Sequence, residues 1–176
     1  SVANGGKLMK PHLVRQFTDE EGTIVKTVEP TVIRQVISEE TSKVVCELLE
    51  NAVTNGSGQN AYIKGYRVAG KTGTSEKLPR GSHKYTASFV GFAPANDPKV
   101  ACLVVVDEPA GGAYYGGLVA APAVGKILED TLNYMGVEPQ YTEEEKTTID
   151  VGVPEITGLE IVAAKKKLSD MGLKYT

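Results

Sequence analysis

Gly65-Tyr66-Arg67-Val68-Ala69-Gly70-Lys71-Thr72-Gly73-Thr74-Ser75 is the stretch on which the fold turns, because it satisfies two incompatible patterns. Residues 65–72 spell G-x-x-x-x-G-K-T, the phosphate-binding loop, and the apolar run ending in Asp107-Glu108 matches the magnesium-binding strand of a nucleotide hydrolase. Such a site needs Lys-Thr to open a helix whose N–H groups face the phosphates, within a parallel sheet joined by helical crossovers. Here Gly73, Pro79 and Gly81 follow within ten residues, and no helical period fits between Thr74 and Val100. Tyr66-Arg67-Val68-Ala69 is bulky, β-prone sequence where a cradle of exposed N–H groups belongs. The competing reading makes Val68–Thr74 a strand that carries Lys71-Thr72-Gly73-Thr74. The residues favour this second reading, with the nucleotide hydrolase as the alternative.

Working outward, Tyr62–Ala69, Thr86–Phe92 and Val100–Val106 are short β-like runs separated by loops rich in Gly, Pro, Asn and Asp. Connections without a helical period predict antiparallel neighbours. The run Ala101-Cys102-Leu103-Val104-Val105-Val106 is apolar on both faces and is expected at the centre of the sheet, covered on both sides. Upstream, Ser38 followed by Glu39-Glu40 starts a helix in which Val45, Leu48, Leu49, Ala52 and Val53 recur at helical spacing until Asn55-Gly56. Downstream of the Gly111–Gly117 turn, Val124, Ile127, Leu128, Leu132 and Met135 define a second helix that stops at Gly136.

Nearer the amino terminus, Leu13–Phe17 and Thr23–Val28 read as a hairpin about Asp19-Glu20-Glu21-Gly22. The expected fold class is therefore α+β: an antiparallel sheet of at least three strands within residues 61–107, packed by helices 39–54 and 121–135. Residues 138–150 are acidic and polar, and read as a linker. A second unit is expected from Val151, with a helix Leu159–Met171 striped by Ile161, Ala164, Leu168 and Met171, a break at Gly172 and a strand from Leu173.

Composition narrows the function classes. The 41% hydrophobic content of 176 residues supports a real core. Nineteen basic against 22 acidic residues leave a net charge of -3, which gives no electrostatic case for a nucleic-acid partner. No run approaches the roughly 18 apolar residues of a spanning helix, and no leader opens the chain. Cys46 and Cys102 each sit inside an apolar run and read as two separate buried thiols. Asp107-Glu108 reads as a solvated strand end rather than a metal site, Glu143-Glu144-Glu145 as solvated linker, and Lys165-Lys166-Lys167 as a solvated helix face. His12 and His83 are isolated, and Ser75 and Ser88 have no base at a recognisable spacing.

A lone Lys-Thr-Gly is a common tripeptide, so its weight comes from the surrounding order. Asn4-Gly5-Gly6 with Pro11 and the helix closing at Asn55-Gly56-Ser57-Gly58 precede it. Ala87-Ser88-Phe89-Val90-Gly91-Phe92-Ala93-Pro94, the apolar strand and its glycine-rich exit follow. In this order residues 1 to about 137 resemble the last part of the transpeptidase domain of a class B penicillin-binding protein, a partial penicillin-binding/serine β-lactamase-like fold. Val153-Pro154-Glu155-Ile156-Thr157-Gly158 with Ala163-Ala164-Lys165-Lys166-Lys167-Leu168 resembles the first half of a PASTA module. That appendage argues against a secreted β-lactamase and points to a Gram-positive bacterium.

The resemblance implies a parent that crosslinks peptidoglycan stem peptides through an acyl-serine and takes β-lactam antibiotics as suicide substrates. It implies no cofactor or metal, and an extracytoplasmic location anchored by an upstream membrane segment. By resemblance, Lys71, Thr72 and Thr74 hold the substrate or drug carboxylate, Gly73 permits close backbone approach, and the Thr74 backbone N–H joins the oxyanion hole. The family's nucleophile lies in Ser-x-x-Lys and its second box reads Ser-x-Asn. None of the chain's eight serines, at 1, 38, 42, 57, 75, 82, 88 and 169, fits either box. The fragment alone is therefore expected to be inactive. A wall-binding module, with muropeptide at the PASTA-like segment, is the remaining alternative.

Overall fold

Short ribbons precede the first helix. Strands β1 (Lys7–Met9), β2 (Gln16–Thr18), β3 (Ile24–Thr27) and β4 (Val32–Gln35) pair antiparallel, β1 with β4 and β2 with β3. The β2–β3 pair is the expected hairpin with shorter strands. The β1–β4 pair is a non-local contact with no local signature in the sequence. No residue between Lys10 and Thr27 is buried in this computed structural model, which describes residues 1–148, 153–171 and 173.

Helix α1 (Glu39–Thr54) begins where expected, and the Ser38 hydroxyl accepts the Thr41 N–H at 3.1 Å. Its inward seam is narrower than the periodicity suggested: Ser42, Cys46 and Val53 are buried, whereas Leu48 is exposed. Buried Ser42 is satisfied by donating to the Val2 carbonyl, as a polar group removed from water must be.

Strands β5 (Ala69–Glu76), β6 (Tyr85–Ala93) and β7 (Val100–Asp107) form one antiparallel sheet in that order. The sheet corrects two sequence expectations. Residues 62–68 are not a strand; they form a turn bridged between Ile63 and Tyr66, and the strand starts at Ala69. Val100–Asp107 is not central among the described residues: β6 is, and β7 is an edge. Val100, Cys102, Val104 and Val106 turn toward the core while Leu103 and Val105 are exposed, so the doubly apolar run covers one face only.

The core-side face is filled by α3 (Ala121–Tyr134), which follows a single turn α2 (Gly116–Val119). Val124, Leu128 and Leu132 of α3 meet Phe89 and Ala93 of β6 and Val53 of α1 in one buried cluster. Ile127 and Met135, expected on the same stripe, are exposed. A second cluster joins Cys46 and Leu49 of α1 to Ala69 and Phe92. Since Phe89 and Phe92 point to opposite faces of β6, α1 contributes to clusters on both sides of the sheet where β5 begins. Both cysteines are free, and burial pushes both thiols upward in pKa.

The chain divides into two compact units, Ser1–Tyr141 and Thr142–Thr176. The first residues of the expected linker, 138–141, belong to unit one, and Gln140 N–H donates to Gly65 O at 2.6 Å. Within the expected linker, Glu143–Lys146 is a helical turn, α4, closed by a capping box from Thr142. In the second unit α5 (Ile161–Asp170) buries none of its residues. The expected start at Val151, the Gly172 break and, past its first residue Leu173, the final strand lie outside the described residues. Among the described residues no helix is long and apolar enough to cross a membrane.

Candidate active site

Lys71, Thr72, Gly73 and Thr74 lie in the middle of β5, an edge strand whose outer row of backbone groups has no neighbouring strand among the described residues. Because side chains alternate along a strand, the four residues split between faces. Lys71 sits opposite Val90 and Leu103, and Gly73 opposite Ser88 and Val105, on the face left open by α3. Thr72 and Thr74 lie opposite Phe89 and Ala87, on the core side. The exposed lysine nevertheless returns to the strand edge. Its Nζ donates to Thr72 O at 2.9 Å and reaches Thr72 Oγ1 at 3.4 Å, so ammonium and hydroxyl meet despite facing opposite ways at their Cα atoms.

Three groups that the sequence did not single out as site residues complete the surroundings. Ser57 Oγ, just past α1, lies 3.4 Å from Thr72 Oγ1. Ser88 faces Gly73, where an added Cβ would lie 2.6 Å from Ser88 Oγ. Gly116 donates its N–H to Thr74 Oγ1 at 3.1 Å, and a Cβ there would drive into the Ser88 carbonyl oxygen. At Gly117 a Cβ would drive into the Ser57 carbonyl oxygen, so α2 is glycine-rich where it is seated between the β5–β6 backbone and the loop after α1. Ser57 and Gly116, but not Ser88, line a hollow of about 380 Å³ with Asn60, Thr72, Thr74, Tyr115 and Gly117. The glycines at 56, 116 and 117 were visible in the sequence as turn signals, but only the fold brings them to the hollow beside Thr72 and Thr74.

The phosphate-loop pattern loses its geometric basis. Lys71 and Thr72 lie inside a strand of an antiparallel sheet, and no helix follows them before Tyr85. Asp107 and Glu108 are engaged by lysines. Lys77 Nζ lies 2.9 Å from Asp107 Oδ2 and 2.8 Å from Glu108 Oε1, and Lys84 Nζ 3.1 Å from Glu108 Oε2. His12 and His83 are exposed, and the His83 N–H donates to Glu76 Oε1. Among the described residues, no three His, Cys, Asp or Glu side chains gather as metal ligands would.

Residues 1–129 match the model of the penicillin-binding protein transpeptidase domain. The chain belongs to this transpeptidase family. Stage V sporulation protein D of Bacillus subtilis (strain 168) is 41% identical over 170 residues, 92% of this chain and 26% of that protein. Peptidoglycan D,D-transpeptidase FtsI of Escherichia coli (strain K12) is 39% identical over 141 residues, 77% of this chain and 24% of that protein. Among solved structures, the ceftriaxone acyl-enzyme complex of penicillin-binding protein A from M. tuberculosis superposes with a TM-score of 0.68 at 32% identity. It covers 74% of this chain and 30% of that one. The chain thus spans about a quarter of the length of the curated relatives it matches. The penicillin-binding resemblance read from the residues around Lys71-Thr72-Gly73 is borne out at the level of the family, and those three residues lie in β5.

Proposed function

We propose that this chain supplies the substrate-binding edge of a peptidoglycan D,D-transpeptidase whose nucleophilic serine lies elsewhere in a longer parent. The observation that carries this reading is the convergence of Lys71 Nζ and Thr72 Oγ1 at the open edge of β5. A cation beside a hydroxyl at a strand edge suits an extended peptide that adds to the strand and ends in a carboxylate. Lys71 and Thr72, with Thr74 as a second contact, hold that carboxylate. The Thr74 backbone N–H joins a donor beside the nucleophile to stabilise the oxyanion that forms when serine attacks the stem-peptide carbonyl. Breakage of that peptide bond releases the terminal residue as an amine. An amine from a neighbouring stem peptide then displaces the serine, closing the crosslink.

In this scheme the nucleophile-bearing part of the parent packs on the exposed face that Lys71 shares with Val90 and Leu103. Gly73 lets the substrate backbone lie close to that face. The relatives' names support peptidoglycan as substrate, and the acyl-enzyme complex supports β-lactams as covalent ligands of the parent. The serine mechanism, the inactivity of the fragment, an extracytoplasmic and upstream-anchored parent, and a PASTA-like module from 151 that meets muropeptide belong to the same proposal. Fluorescent penicillin labelling tests it on three samples: the parent extended upstream through both missing boxes, the 176-residue chain, and a Lys71→Ala parent. Covalent label is expected on the parent, absent from the chain and much slowed in the variant. A well-folded parent that takes no label overturns the reading.

A further inference from the structure

The far end of the Lys-Thr-Gly strand is held by an ionic clamp, and an unbroken line of contacts runs from it to Thr74. Glu108, just past β7, bridges Lys77 and Lys84, which flank the loop between β5 and β6. Its neighbour Asp107 takes a second bond from Lys77 and one from Thr86 Oγ1 at 3.0 Å. Glu108 also adopts a left-handed backbone, φ 47°, a conformation that a residue bearing a side chain rarely takes without a reason. In that turn its N–H donates to Tyr85 O at 2.9 Å, and the chain is redirected toward Tyr114.

Tyr114 is stacked on Tyr85, with centroids 4.1 Å apart and planes 13° from parallel. Tyr114 Oη in turn donates to Tyr115 Oη at 3.2 Å. The next residue is Gly116, whose N–H holds Thr74 Oγ1. Between Glu108 and Tyr114 the chain passes half-buried Pro109 and then an exposed Gly111-Gly112 turn, both glycines left-handed with open space around them. That turn has no means of its own to fix where Tyr114 and Gly116 sit. The restraint comes from the two ends, the clamp and the stack.

We propose that Glu108 is a positioning residue for Thr74: by bridging Lys77 and Lys84 it fixes the turn that places the Tyr85–Tyr114 stack, and through Gly116 the Thr74 hydroxyl. This rests on the transpeptidase reading for the role of Thr74, though the clamp and its coupling to the tyrosines do not. Glu108 touches no substrate, and its effect is one of geometry, to which a reacting centre is steeply sensitive.

The test is Glu108→Gln, which keeps size and shape while removing the charge, in two settings. In the 176-residue chain, which has eight tyrosines and no tryptophan, near-ultraviolet circular dichroism reports the tyrosine stack directly. The variant is expected to lose the stacked-tyrosine signal with little change in melting temperature. Wild type in 1 M salt is expected to move toward the variant, whereas the variant stays put. In the upstream-extended parent, the second-order rate of penicillin acylation is expected to fall roughly tenfold while the fraction that can be labelled is unchanged.

An unaltered tyrosine signal overturns the proposal at the clamp. A lost signal with wild-type acylation overturns it at Thr74. A wild-type parent that never labels overturns the transpeptidase reading and the role of Thr74 with it, an outcome separate from failure of the variant alone.

Discussion

Two glycines at the candidate site differ in what an added side chain would meet. At Gly73 an added methyl meets the hydroxyl end of Ser88, which can rotate away, whereas at Gly116 it meets the backbone carbonyl of Ser88, which cannot. Gly73→Ala should therefore cost under about 1 kcal/mol, and Gly116→Ala about 3 kcal/mol, the upper range for overpacking a close contact. Denaturant unfolding of the 176-residue chain checks both. If Gly73 serves the approach of a substrate backbone, Gly73→Ala in the parent slows penicillin labelling far more than its stability change accounts for. Equal stability losses at the two positions would show that α2 yields, and close packing would then no longer explain why residue 116 is glycine. The Lys-Thr-Gly-Thr residues themselves were legible because they are contiguous. Ser57, Ser88 and Gly116 were not, because they reach the site from three other segments and carry no spacing of their own.

At the scale of elements, periodicity located both helices and the strands β6 and β7, but it put a strand where residues 62–68 turn and misjudged how much of α1, α3 and β7 is covered. A helix stripe is read from apolar residues alone, yet α1 buries Ser42 and Cys46 in its seam and leaves Leu48 outside. In α3 the distinction is sharp enough to measure. Leu128→Ala, at a fully buried position, should cost about 2–5 kcal/mol, while exposed Ile127→Ala should cost under about 1 kcal/mol, by chemical denaturation.

The hairpin end of the sheet has its own dependence on pH. Hydrogen bonds from Lys77, and then from Lys84, hold the Glu108 carboxyl below its ordinary range; those from Lys77 and Thr86 do the same for Asp107. A carboxylate depressed in the folded state contributes stability that is complete above its unfolded value of about 4 and is lost as pH falls through the lower folded value. The clamp should thus survive from neutrality to about pH 4 and open only below it, with the tyrosine dichroism following. Loss of that signal well above this range, near neutrality, would mean the carboxylates are not what holds the stack. The sequence showed Asp107-Glu108 only as a strand end, since their lysine partners lie 24 to 31 positions upstream and nothing local marks the pairing.

For the molecule as a whole, the apolar run Ala101–Val106 was read as doubly covered, and its composition was the reason. The structure leaves that composition without a partner on one side. Val90, Leu103 and Val105 form a contiguous exposed row, 44%, 62% and 55% accessible, on the same face as Lys71 and beside the unpaired edge of β7. Water on such a patch is unfavourable by roughly 25 cal/mol for each Å² of apolar surface, and an open strand edge next to it offers a template for pairing. Within the first unit, this face and the ribbon that exposes Phe17 and Val25 compete as the source of association. The sheet face has both an apolar row and a free edge on a rigid three-stranded platform, whereas the ribbon strands are three and four residues long. The 176-residue chain should therefore self-associate with rising concentration in sedimentation velocity. Leu103→Lys with Val105→Lys should return it to monomer, and Phe17→Lys with Val25→Lys should not. The reverse pattern would place the sticky surface on the ribbon, and the doubly apolar composition of β7 would then need an explanation other than a missing cover.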